Sequence, residues 1–236
     1  MNPTRAGRPI PLFLTVLIAF FSGFVALGLS DGTAHAHSET RHAELAAISA
    51  GHPVALTRKA VALRMDMRKL WEDHITWTRL AIISLTTGAP DTDATVGRLL
   101  QNQTDIGNAV KPFYGAAAGN ELTRQLKRHI LIAAEVVAAA KAGDQAKLAA
   151  AQLRWTENGD AIAAVLASVN PRFWKLAPMK AELRMHLRLT TEEAVARLQR
   201  NWQADVGAYE KIHKHALHLS DLLADGLVKQ FPARFR

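Results

Sequence analysis

The chain contains no cysteine. That excludes disulfide staples, thiolate metal sites, cysteine nucleophiles and c-type haem attachment. Aromatic residues are scarce, at 6% of 236 residues. Few aromatics beside abundant alanine favour helices over strands. Catalytic signatures are missing too: there is no Gly-x-Ser-x-Gly nucleophile elbow and no phosphate-binding loop. No Lys/Arg stripe with interleaved aromatics appears, which argues against nucleic acid as a partner. Long apolar runs are absent except at the start.

That one run, Pro11 to Leu29, follows the basic residues Arg5 and Arg8 and precedes Ala34-His35-Ala36. A basic start, an apolar centre and a small-x-small site are the parts of a secretory signal peptide. The pattern predicts a signal peptide over 1–36, with His37 or His35 as the new N-terminus and a periplasmic or secreted location. A run of about 19 residues is also long enough for a retained anchor, and that alternative stays open. No later segment reads as a membrane span, because Ile130 to Ala140 is too short and holds Glu135. Residues 37–53 read as a flexible N-terminal segment ended by Gly51-His52-Pro53, and 54–236 as a single helical-bundle domain. Such a core needs no staples. Lys and Arg exceed Asp and Glu by 29 to 21. The excess suits either a solvated surface or attraction to an anionic envelope surface or an acidic protein partner.

Helix punctuation is clear along the rest of the chain. A first helix is expected from about Leu56 to Leu85, broken by Thr86-Thr87-Gly88-Ala89-Pro90. Asp91-Thr92-Asp93 caps a second, which ends near Pro112 and Gly115. This Asp-x-Asp resembles that of metal-dependent sugar transferases, but no alternating strand-helix pattern surrounds it. A third helix opens at Asn120-Glu121 and stops at Gly143; Asp144 caps a fourth that reaches about Val169. Asn170-Pro171 and Pro178 mark a joint. Thr190-Thr191-Glu192-Glu193 has the capping-box pattern and predicts the start of a long final helix. The expectation is an all-α antiparallel bundle of about six helices. His74, Gly88 and Asp105 recur as His129, Gly143 and Asp160 at one offset of 55 residues. Two tandem helical hairpins plus a long C-terminal helix would produce that pattern.

Three histidines interrupt otherwise apolar helical seams. One seam runs Leu63, Met67, Leu70, His74, Trp77, Ala81; another runs Leu122, Leu126, His129, Ala133, Val136; a third runs Met179, Leu183, His186. Steps of 3 and 4 residues keep these side chains on one helix face. Asp205 is the only charged member of a fourth seam, Val195, Leu198, Trp202, Asp205, Tyr209, Ile212. A buried polar group needs a partner, because leaving it unpaired costs about 1–3 kcal/mol. Brought together, His74, His129, His186 and Asp205 supply three nitrogens and one oxygen, a set suited to Zn, Cu or Fe. Alternatively each ring bonds a neighbour such as Asn102, Asn158 or Tyr209 and fixes helix register. The N-terminus is a second metal-site candidate, where a terminal amine, His35 or His37 and His42 can chelate copper; the alternative is a disordered tail with incidental histidines. Lys211, His213, Lys214, His215 and His218 form a basic patch on the final helix, read as a solvated face with an acid-pH charge switch as the alternative; His213 and His215 project to different faces, whereas His215 and His218 could chelate.

Leu70-Trp71-Glu72-Asp73-His74 with Trp77-Thr78-Arg79, Gln101-Asn102-Gln103-Thr104-Asp105-Ile106-Gly107-Asn108, and His129-Ile130-Leu131-Ile132-Ala133 resemble a family of small exported bacterial helical proteins. Some of its members carry a glycosyltransferase label. The resemblance runs from about residue 63 to the end and has no settled function behind it. It implies a helical exported protein and marks His74, Arg79, Asn102, Asp105, His129, Asn158, Asp160 and His186 as pattern positions. Three function classes follow. The leading one is a binding protein that holds a metal ion or small ligand through the core histidines. The second is a non-catalytic structural or interaction protein of the cell envelope with architectural histidines. The third is an enzyme, metal-dependent or of the glycosyltransferase label. Clustering of the histidines favours the first class.

Overall fold

The computed structural model of the chain describes residues 57–236. The expected signal peptide, the segment 37–53, and His35, His37 and His42 lie outside the described residues. Among the described residues there are five α-helices and no strand: α1 (Arg58–Thr87), α2 (Thr92–Ala142), α3 (Gln145–Val169), α4 (Leu176–Leu198) and α5 (Trp202–Gln230), followed by a short 3-10 turn, Pro232–Phe235. No helix among them is long and apolar enough to cross a membrane.

The local signals explain most boundaries. Thr57 caps α1 by accepting from the Ala60 amide, and Gly88 ends it in the left-handed region at φ 70°. Asp144 caps α3 by accepting from the Lys147 amide. Asp91 occupies the cap position of α2 without a side-chain cap bond. Pro178 lies in the first turn of α4, where its missing N–H costs nothing.

Two expectations need correction. The second and third helices run on as one element, so the helices number five rather than six, although α2 breaks at Gly115, where its first half was expected to end. Gly115 alone departs from helical geometry inside α2, at φ 84° and ψ 170°. The chain reverses there. In a straight helix Gly107 and Gly119 would stand about 18 Å apart, yet a Cβ at Gly107 would lie 2.7 Å from the Gly119 carbonyl oxygen. Two glycines let the halves of α2 touch. The second correction concerns Thr190-Thr191-Glu192-Glu193, which lies inside α4. Thr190 and Thr191 turn their hydroxyls back onto the carbonyls of His186 and Leu187 and so spend no bond on a cap. The break falls later, where Asn201 caps α5 by accepting from the Ala204 amide. Trp202, read as a seam member, is consequently exposed.

Pairing along the chain sets the directions. Arg64, Arg68 and Arg79 of α1 bond Asp225, Asp221 and Asp205 of α5, so those helices are antiparallel. Arg79 also bonds Glu193, and His74 faces His186, so α1 and α4 run the same way. The Lys141 ammonium donates to the Leu85 carbonyl, joining the ends of α2 and α1 and making the second half of α2 parallel to α1. Six helical segments thus alternate in direction. One continuous core of Met67, Trp71, Ile75, Leu122, Ile162, Trp174, Met179, Ile212 and Leu219 binds them.

Candidate functional site

The three seam histidines meet where the three parallel segments face one another. His74, His129 and His186 are only 4%, 4% and 5% exposed. Ring centroids are 5.7 Å apart for His74 and His186, and 6.0 Å for His129 and His186. Burial pushes His74 down to about 4, helped by the charge His129 would carry. Burial does the same to His129, also to about 4, and holds His186 well below the ordinary value. All three rings are neutral at pH 7.

Each ring faces the return helix of its own hairpin at the same spacing. His74 meets Gln103, and His129 meets Asn158, both 29 residues later. His186 meets His215 at that spacing, with ring centroids 6.2 Å apart. The Gln103 amide nitrogen lies 2.9 Å from the Leu99 carbonyl, 3.1 Å from Asn102 Oδ1 and 3.1 Å from His74 Nδ1, three acceptors for two hydrogens, while its own oxygen is buried without a partner. These contacts leave both His74 tautomers open, whereas the partner of His129 decides its tautomer. The Asn158 amide nitrogen donates to the Gln125 carbonyl and side chain, so its oxygen accepts from His129 Nδ1–H at 2.9 Å. The His129 lone pair is therefore on Nε2. His186 Nδ1 is buried and has no partner.

Asp205 does not join the histidines, and this corrects the expected four-residue set. It is buried, as its seam predicts, but it lies at the start of α5 at the level of Glu193. Glu193 follows His186 by seven residues, about 10 Å along α4. Arg79 donates to both oxygens of Asp205 and to Glu193 Oε1, and Arg197 donates to Asp205 Oδ2 at 3.0 Å. Burial alone would raise the Asp205 carboxyl, but the two guanidiniums outweigh it and hold it below the ordinary range. Glu193 is buried more completely and has one oxygen without a partner, so burial pushes it up to about 7 against the pull of Arg79. Tyr209 lies under the Arg79 guanidinium, 5.3 Å from ring centroid to Cζ.

The other expected positions separate. Asn102 donates to the Leu70 carbonyl and accepts from Gln103, which places it behind His74. Asp105 stands on the surface beside Gln101 and Arg98. Asp160 ties α3 to Arg184 and Lys180 of α4, away from the rings. Sequence reasoning passed over Gln103, Gln125, Glu193 and Arg197 as site residues, and it placed His215 on a solvated face rather than opposite His186. Glu193 was hidden by the false capping box. The shared spacing from each seam histidine was the signal that marks Gln103, Asn158 and His215 together.

Among the described residues, no group of three or more His, Asp or Glu side chains is set to hold a metal ion as it stands. No family model matches the chain, and no match was found among the curated proteins or the solved structures.

Proposed function

We propose that this chain is an exported binding protein whose three hairpins hold one divalent transition-metal ion between His74, His129 and His186. The observation that carries the reading is the buried, unpartnered His186 Nδ1 between two other imidazoles. An architectural histidine spends its polar atoms on hydrogen bonds, and an unsatisfied buried one costs about 1–3 kcal/mol. Ligation removes that cost. Two rings that share a tetrahedral ion about 2.0 Å from a nitrogen of each have centroids roughly 5 Å apart. The separations of 5.7 and 6.0 Å exceed that, so ligation requires the rings to close by less than about 1 Å.

The rings are not equally ready. His129 gives Nδ1–H to Asn158 and keeps Nε2 free, the arrangement of a metal-ligating imidazole oriented by an outer partner. His186 can turn without losing a hydrogen bond. His74 Nδ1 faces the Gln103 amide nitrogen, so ligation through that atom displaces this contact. Losing it costs on the order of 1–3 kcal/mol, which the free energy of metal binding to the folded chain opposes.

The satisfied Nδ1 atoms of His74 and His129 favour one second reading, an interaction protein of the envelope with architectural rings. Thermal unfolding at pH 7.5 with and without Zn²⁺ or Cu²⁺ separates the two. The chain should carry His35→Ala, His37→Ala and His42→Ala so that N-terminal chelation does not contribute. Binding to the folded state raises the melting temperature, and His186→Ala abolishes the rise. No shift with either ion would retire the metal reading in favour of the second.

A further inference from the structure

The third hairpin departs from the other two. Gln103 and Asn158 offer amides to His74 and His129, but the place opposite His186 holds the imidazole of His215. His215 Nε2 lies 3.2 Å from the Glu182 carbonyl oxygen, so that nitrogen carries the proton and donates it. The Nδ1 lone pair is left facing Glu182 Oε2 at 3.7 Å. The other carboxylate oxygen, Oε1, faces His218 Nε2 at 3.8 Å. Neither distance is a hydrogen bond.

A ring lone pair and a carboxylate oxygen are thus held face to face with no proton between them. Two acceptors so placed repel, and a cation between them turns the repulsion into ligation. A backbone carbonyl that fixes one ring N–H while the other nitrogen faces a carboxylate is also how proteins orient metal-binding histidines. Arg188, the guanidinium on the same helix as Glu182, is engaged by Glu192 and leaves the carboxylate to the two rings. Side-chain exposure rises from 10% at His215 to 23% at Glu182 and 62% at His218, so the cluster leads from the buried rings to solvent.

The geometry points to a second site for a divalent transition-metal ion, formed by Glu182, His215 and His218 at the outer edge of the histidine cluster. Two imidazoles and one carboxylate suit Zn²⁺ or Cu²⁺. The donors do not yet converge on one point. His218 supplies the missing movement, because it is exposed and lies one turn from His215 on the same face of α5. This site does not rest on the core reading.

Zn²⁺ titration by calorimetry tests it, using the full chain with His35→Ala, His37→Ala and His42→Ala. Two further variants, Glu182→Gln and His218→Ala, change a partly exposed and an exposed side chain outside the hydrophobic core. Each should weaken binding at one site by tenfold or more, while His129→Ala leaves that site unchanged. Binding that survives both surface variants and disappears with His129→Ala would overturn this site and leave the core reading standing. Binding lost in the surface variants alone would support this site and retire the core one. A chain that binds no Zn²⁺ at all overturns both.

Discussion

Asp205→Ala should be one of the most damaging single substitutions in the chain. Asp205 is 1% exposed and accepts from both Arg79 and Arg197, whose side chains are 16% and 20% exposed. Removing the carboxylate leaves Arg79 with Glu193 and the Tyr209 face, and Arg197 with the Trp202 face, 4.9 Å from ring centroid to Cζ. Breaking a buried pair from one side costs about 3–5 kcal/mol, because the stranded charge stays desolvated. Both arginines reach some solvent, so the low end applies, about 3 kcal/mol. For a domain of this size, that corresponds to a fall of roughly 6–12 °C in melting temperature. Urea unfolding at pH 7, followed by circular dichroism, measures it. Asp205→Asn keeps the shape and part of the bonding and should lose less. The sign with pH is fixed by the depressed carboxyl. Its stabilisation is complete above the ordinary value of 3.8 and is lost as pH falls through the lower folded value. A loss under about 0.5 kcal/mol is what a surface residue gives and would refute the buried-cluster account.

Three further outcomes follow from named contacts. Below pH 6.5 the unfolded chain gains imidazole protons while buried His74 and His129 stay neutral to about 4, so stability falls between pH 6.5 and 4; thermal melts across that window check it, and a flat profile contradicts it. Glu193 acts oppositely, since its carboxyl at about 7 lies above the ordinary 4.5, so its share of stability falls as pH rises through that interval. Glu193→Gln should therefore steepen the loss of stability on acidification, and an unchanged slope would show that Glu193 is ionised in the fold. At the reversal of α2, Gly107→Ala places a Cβ 1.9 Å from Thr123 Oγ1 and 2.7 Å from a carbonyl oxygen; a loss on the order of 1–3 kcal/mol is expected from such overpacking, and a neutral effect in urea unfolding would mean the halves of α2 do not touch.

Helicity and the seams were legible because they depend on periodicity. The spacing around His74, His129 and His186 was enough to bury all three rings. The Asp205 seam was correct at Asp205 and Ile212 and wrong at Trp202, because it was drawn straight through the break at Asn201. Thr190-Thr191-Glu192-Glu193 misled for a physical reason. Threonine hydroxyls bond their own helix as readily as they cap one, and only tertiary context decides. With Glu193 taken as a cap, its role beside Arg79 was out of sight. The break at Gly115 was legible from Pro112 and Gly115, but the contact between Gly107 and Gly119 that closes the reversal was not, because no local pattern marks it. The partners of the rings belong to neighbouring helices; Asn158 was among the partners expected, whereas Gln103 and His215 were marked only by the spacing of 29 residues they share with it.

The central claim is that three hairpins converge on one ion. A crystal structure of the chain loaded with Zn²⁺ in the Glu182→Gln background tests it most directly, with anomalous scattering locating the metal. One anomalous peak between His74, His129 and His186, about 2.0–2.1 Å from a nitrogen of each, is the expected result. Rings that keep their present partners, with no peak between them, would contradict it.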